Sequence, residues 1–159
     1  MKAGVRFTNT HALFPTFTMP NAAAMATGHR LGDTGQFGNT IYTGSPVPGA
    51  GESPTLFLES DPVLGDVDAH GAGNYLNEET ILRAAQAKGL STASIGKLGP
   101  SLVFDHTARA GQDTVLIDDS TGRPGGVPLS DEPRARLGEA GLPLQAPRLG
   151  VPMDRPGPR

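Results

Sequence analysis

The chain of 159 residues contains no cysteine and no tryptophan, and aromatic residues make up only 5% of it. Without cysteine there is no disulfide scaffold, no Cys-ligated zinc site and no thiol nucleophile. No apolar run approaches the roughly 20 residues that a membrane-spanning helix needs. Charge is scarce as well: 18% of residues are charged and the net charge is -3. A chain without basic excess lacks the face that phosphate-backbone contacts require, which argues against a nucleic-acid binding surface. Met1-Lys2-Ala3 runs into polar residues with no apolar stretch behind it, so no signal peptide is read. What the chain has in quantity is glycine (22) and proline (15), with a hydrophobic share of only 36%. The glycines follow no three-residue period, which excludes collagen. This composition and length suit one loop-rich domain with a thin core.

The most informative stretch lies close to the start. Phe14-Pro15-Thr16-Phe17-Thr18-Met19-Pro20-Asn21 runs into Ala22-Ala23-Ala24-Met25-Ala26-Thr27-Gly28. Alanine and methionine favour helix, Pro20 suits a first helical turn, and Gly28 suits the stop. Thr18 then falls at or next to the helix N-cap, where free N–H groups and the positive end of the helix dipole converge. Such a place favours anions and the alkoxide form of a hydroxyl. Two readings stand side by side here: Thr18 as an ordinary capping threonine, and Thr18 as a nucleophile. Thr16 is a second candidate nucleophile, farther from the helix start.

Pro15-Thr16-Phe17-Thr18-Met19-Pro20-Asn21, then Ala26-Thr27-Gly28-His29, then Gly35-Gln36-Phe37-Gly38-Asn39, together resemble the nucleophile segment of type I phosphodiesterases and nucleotide pyrophosphatases, within the alkaline phosphatase superfamily. Asn74-Tyr75-Leu76-Asn77-Glu78-Glu79-Thr80 and Ile95-Gly96-Lys97-Leu98-Gly99-Pro100 look like one bacterial branch of it, so the likeness extends over about residues 3 to 147. The resemblance implies hydrolysis of phosphodiester or pyrophosphate bonds in a small phosphate ester or nucleotide. It implies that Thr18 is both nucleophile and metal ligand, that Asn39 holds a phosphoryl oxygen, and that two divalent ions, usually zinc, serve as cofactors. That chemistry is coherent: metal coordination activates a weak hydroxyl, paired ions clamp the attacking and leaving oxygens, and an amide donates to the oxygen gaining charge. The family's Asp-Gly strand end before the nucleophile and its later Asp and His ligands find no counterpart. The expectation is therefore a piece of a longer hydrolase, inactive by itself, from a family whose members are often exported. Sulfatases, in the same superfamily, carry a Cys/Ser-x-Pro-x-Arg motif; Thr18-Met19-Pro20 with no Arg behind it argues against that branch.

Other acidic and histidine positions read as structural. Asp61, Asp66, Asp68 and His70 are expected in a solvated acidic loop, Asp118-Asp119 in a turn, and Asp105-His106 similarly; their spacing fits no calcium loop. His11 and His29 flank the nucleophile segment and are expected simply to hydrogen-bond. Residues 122–126 lack a Gly-Lys-Ser/Thr ending and so form no P-loop.

The remaining pattern alternates strands and helices. Strands are predicted around Val5-Phe7, residues 55–58, 90–95, 101–104 and 114–117. Helices are predicted after an Asn77 cap and after a Ser130 cap. The fold class is thus α/β, a mostly parallel sheet with flanking helices and long loops over residues 1–141, which the resemblance implies is a partial alkaline-phosphatase-like domain, followed by a disordered Pro/Arg-rich tail over 142–159. The alternative to the hydrolase reading is a non-catalytic α/β remnant, or a module binding anions at the helix N-terminus.

Overall fold

The computed structural model describes residues 3–107 and 109–146. The elements in order are α1 (Thr18–Thr27), α2 (Leu31–Thr34), β1 (Thr40–Tyr42), β2 (Thr55–Phe57), α3 (Asp61–His70), α4 (Ile81–Gln86), β3 (Thr92–Ile95), α5 (Pro100–Val103), β4 (Thr114–Ile117) and α6 (Asp131–Glu139). The chain is mixed α/β, but the expected mostly parallel sheet is corrected: the described residues form two separate two-stranded sheets, one antiparallel (β1–β2) and one parallel (β3–β4).

Helix α1 is the hub. Met19, Ala22, Ala23 and Ala26 follow helical spacing and are all buried. Three alanines on that face bring the helix axis close to its neighbours, so α1 packs against α5, α2 and α4. The core continues through Val47, Leu56, Leu58, Leu64, Leu102, Val103 and Leu116. Gly28 ends α1 in the left-handed region (φ 76°), and its N–H reaches the Ala24 carbonyl.

Antiparallel β1 and β2 pair Thr40 with Phe57 and Tyr42 with Thr55. The ladder runs one step further, because the Leu58 N–H donates to the Asn39 carbonyl at 2.9 Å. This register sets Asn39, just before β1, beside Glu59, just after β2. In the parallel sheet Thr92 faces Thr114 and Ile95 faces Ile117, with α5 in the connection.

Four local expectations fail. Residues 61–70 form helix α3 rather than a solvated loop. Pro62 sits in the first turn, where its missing N–H is harmless, and Leu64 and Val67 give the helix a buried face. Residues 101–103 are helical rather than a strand, because Gly99-Pro100 starts a turn: Gly99 adopts φ 75° and Pro100 takes the first helical position. Val5 and Phe7 lie in irregular, exposed chain with no partner strand among the described residues. The helix predicted after Asn77 is instead capped by Thr80, whose side chain accepts from the Arg83 N–H. The tail expectation falls mainly on residues 147–159, which lie outside the described residues. Before them, the Ala146 N–H donates to the Thr121 carbonyl at 3.0 Å. Among the described residues no helix is long and apolar enough to cross a membrane.

Candidate functional site

Thr18 occupies the first turn of α1 and is exposed; its hydroxyl makes no hydrogen bond among the described residues. The N-cap residue is Phe17, which has no side-chain acceptor to offer. Asn39 supplies one from elsewhere in the chain: its Oδ1 accepts the Met19 N–H at 2.9 Å. The cap that sequence reasoning sought in Thr18 is therefore provided by Asn39, and Thr18 keeps its hydroxyl unengaged.

The rest of the Asn39 amide is also held. Its Nδ2 donates to Glu59 Oε1 at 3.0 Å, and the Lys97 ammonium pairs with Glu59 Oε2. Oδ1 on an N–H and Nδ2 on a carboxylate fix the polarity of the amide, since a flip would set like against like. One Nδ2 hydrogen is left over. Glu59 is placed by the β1–β2 register and Lys97 by Gly99: a Cβ at Gly99 would lie 2.6 Å from the Glu59 Cα. Only glycine lets residues 96–99 run so close to the end of β2.

Asn21 holds the loop that presents Thr18. Its Oδ1 accepts the Leu13 N–H at 2.8 Å and its Nδ2 donates to the Phe17 carbonyl at 2.9 Å, with the Leu13 and Pro15 carbonyls within 3.5 Å. The Pro-Asn pair in the motif thus acquires separate physical tasks. Pro20 fits the first helical turn without a wasted donor, and Asn21 stitches residues 13–17 down. Thr16 sits in that loop, ahead of the helix.

The remaining candidates are dispersed. His29 lies 3.7 Å from a Glu78 carboxylate oxygen and 3.9 Å from one of Asp33. Asp68 and His106, both buried, pair at 2.9 Å, and Asp68 also accepts the Tyr75 N–H. Asp105 is buried and accepts from Thr114 Oγ1 at 2.6 Å and Gln86 Nε2 at 2.7 Å. Asp61 accepts the Gly99 N–H, and burial followed by the neighbouring Asp118 pushes its carboxyl up to about 6. Burial followed by the Asp68 charge pushes the Tyr75 phenol up. Glu59 and Asn21 were not singled out from sequence; the one signal for Asn21 was its place directly after Pro20.

A two-ion centre needs several carboxylate and imidazole ligands converging within bonding distance of the ions. Among the described residues no three His, Cys, Asp or Glu side chains gather closely enough to hold a metal ion. Glu59, the carboxylate behind Asn39, is already shared between an amide and an ammonium. These residues do not fit a paired-metal site.

The α/β chain thus presents, among the described residues, an unengaged threonine hydroxyl at a helix start and an amide locked against that start. The family model for type I phosphodiesterase / nucleotide pyrophosphatase matches residues 1–131, and the chain belongs to that family. No curated protein and no solved structure matches it.

Proposed function

We propose that the chain carries the nucleophile segment of a phosphate-ester hydrolase, built on an alkaline-phosphatase-like plan, with Thr18 as nucleophile and Asn39 as the donor to a phosphoryl oxygen. The observation that supports this reading is the Asn39 contact with Met19, which brings the two motif residues to one helix start. In the reaction the Thr18 Oγ–phosphorus bond forms and the bond to the leaving alkoxide or phosphate breaks. The hydroxyl proton goes to solvent, and water then cleaves the phospho-threonine ester, restoring the hydroxyl. The leftover Nδ2 hydrogen of Asn39 is the group available to an oxygen gaining charge. The proposed substrate is a small phosphodiester or nucleotide, a reading that family membership supports.

The two divalent ions, usually zinc, that the resemblance implies belong to this proposal only through Thr18 as a candidate ligand. The other residues described do not fit such ions. For the same reason we propose that the 159-residue chain turns over little substrate by itself.

A second reading, a non-catalytic α/β chain, is favoured by the commitments of the acidic side chains. Asp61, Asp68 and Asp105 are each engaged in buried structural bonds. Its anion-binding version has less support. The helix start offers few free donors, because Asn39 occupies the Met19 N–H and Pro20 has none.

The test is hydrolysis of bis(p-nitrophenyl) phosphate with zinc present, together with mass spectrometry of the Thr18 peptide for a phosphoryl adduct. Turnover that disappears in Thr18→Ala, with an adduct on Thr18, supports the hydrolase reading. Turnover that survives Thr18→Ala overturns it. Because little turnover is expected of this chain in either case, the adduct decides: a phosphoryl group on Thr18 supports the hydrolase reading, and its absence favours the non-catalytic one.

A further inference from the structure

Two buried carboxyl groups meet on one hydroxyl away from the Thr18 site. Asp61, at the start of α3, is fully buried, and Asp118, just after β4, is 6% exposed. Ser120 Oγ lies 2.7 Å from Asp61 Oδ2 and 2.7 Å from Asp118 Oδ1. A single hydroxyl hydrogen can satisfy only one of them. Asp118 Oδ2 is buried and makes no hydrogen bond with the donors described.

The charged groups of the surrounding elements are engaged elsewhere. Lys97 pairs with Glu59, Asp119 Oδ1 accepts the Leu98 N–H at 2.6 Å, and Arg123 donates through Nη2 to the Ala146 carbonyl at 2.9 Å, while its Nε is buried and bonds neither Asp61 nor Asp118. On α3, Asp66 faces Arg109 at 3.9 Å and Asp68 pairs with His106. Helix α5 contributes no charged side chain. Among the described residues no cation forms an ion pair with either Asp61 or Asp118.

Two adjoining carboxyls buried without a cation do not both ionise readily; they retain a proton between them. We propose that Asp61, Asp118 and Ser120 form a single-proton latch that fastens the loop over residues 118–126 to the start of α3 and loosens it as the solution turns from acidic to neutral. Among the described residues the Ser120–Asp61 bond is the side-chain hydrogen bond from this loop to α3, and Gly125 lies against the Pro62 ring. It also carries the next segment: Thr121 accepts the Ala146 N–H, and Gly122 accepts from the Gln145 amide at 3.3 Å. Loosening the latch therefore loosens residues 142–146 as well.

The direction with pH follows from linkage. The Asp61 carboxyl sits at about 6 in the folded chain, against 3.8 as its ordinary value, so between those values the folded state binds more protons than the unfolded one. Stability is greatest at the acidic end of that window and falls as pH rises through about 6.

The experiment is thermal unfolding of the full chain from pH 4.5 to 8, for wild type, Asp61→Asn and Asp118→Asn. An amide at position 61 keeps an acceptor for the Gly99 N–H and adds a permanent donor toward Asp118. The expected result is a fall in Tm of roughly 5–10 °C in the wild type over this range. Asp61→Asn should be flat there and the more stable of the two at pH 8. Should a variant fail to fold, carboxyl ¹³C titration of the wild type decides: an Asp61 midpoint near 6 supports the latch. A midpoint in the ordinary aspartate range overturns it, as does an unchanged slope in both Asn variants. Calcium or magnesium that raises the wild-type Tm at pH 8 but not that of Asp61→Asn also overturns it, in favour of a cation site.

Discussion

Asn39 is the residue on which the candidate site turns, because it serves the fold and the proposed chemistry with different atoms. Its oxygen caps α1, while its nitrogen answers Glu59. Asn39→Ala removes both bonds and should lower stability by about 1–2 kcal/mol in urea unfolding. Asn39→Asp keeps the capping oxygen but sets a second carboxylate against Glu59. That variant should lose stability chiefly above pH 5 and regain part of it with added salt, which pH-dependent unfolding curves would reveal. Glu59→Gln retains an acceptor for Asn39 and gives up only the pair with Lys97, whose side chain is 53% exposed. Its effect should stay below about 1 kcal/mol. None of these connections was visible in the sequence beyond the presence of Thr18 and Asn39 themselves. The bond that joins their surroundings spans a loop, and Glu59 lies in no motif; only the β1–β2 register brings it alongside.

Elements whose ends are written locally were legible, and those whose ends depend on distant packing were not. The Gly28 stop of α1, the small-residue strand β3, the apolar run of β4, and the Ser130 start of α6 rest on neighbouring residues and fall where expected. Helix α3 was missed because Pro62, Gly65 and three aspartates look like loop composition, while burial of Asp61 and Asp68 needs partners from residues 99, 106 and 120. Helix α5 was missed because a short apolar run has no decisive period. Two substitutions probe these ends. Thr80→Ala removes the side-chain acceptor of α4 and should cost about 1 kcal/mol, with faster amide exchange at Arg83. Gly99→Ala faces both a positive φ and the backbone of Glu59 at 2.6 Å. It should be far more damaging, with loss of cooperative unfolding by circular dichroism.

At the scale of the whole molecule, the core is thin and large apolar side chains remain outside it. Phe14 is 92% exposed and Phe7 77%, with Val5, Met25 and Ile95 also in solvent. Apolar surface of this kind promotes association. Light scattering should show concentration-dependent self-association that Phe7→Ser and Phe14→Ser reduce, with little change in the unfolding midpoint because neither ring is packed. The mixed α/β class was readable from alternating elements. The division into two small sheets was not, because strand pairing depends on contacts that a linear pattern does not contain. The borrowed cap of α1 carries a consequence for how the chain acquires its shape. A synthetic peptide spanning residues 13–30 would contain the whole Thr-x-Thr-x-Pro-Asn motif, yet it would lack the oxygen that closes the helix start. Such a peptide should be frayed at Thr18 in water, and the motif would take its final geometry only after the hairpin of β1 and β2 has docked.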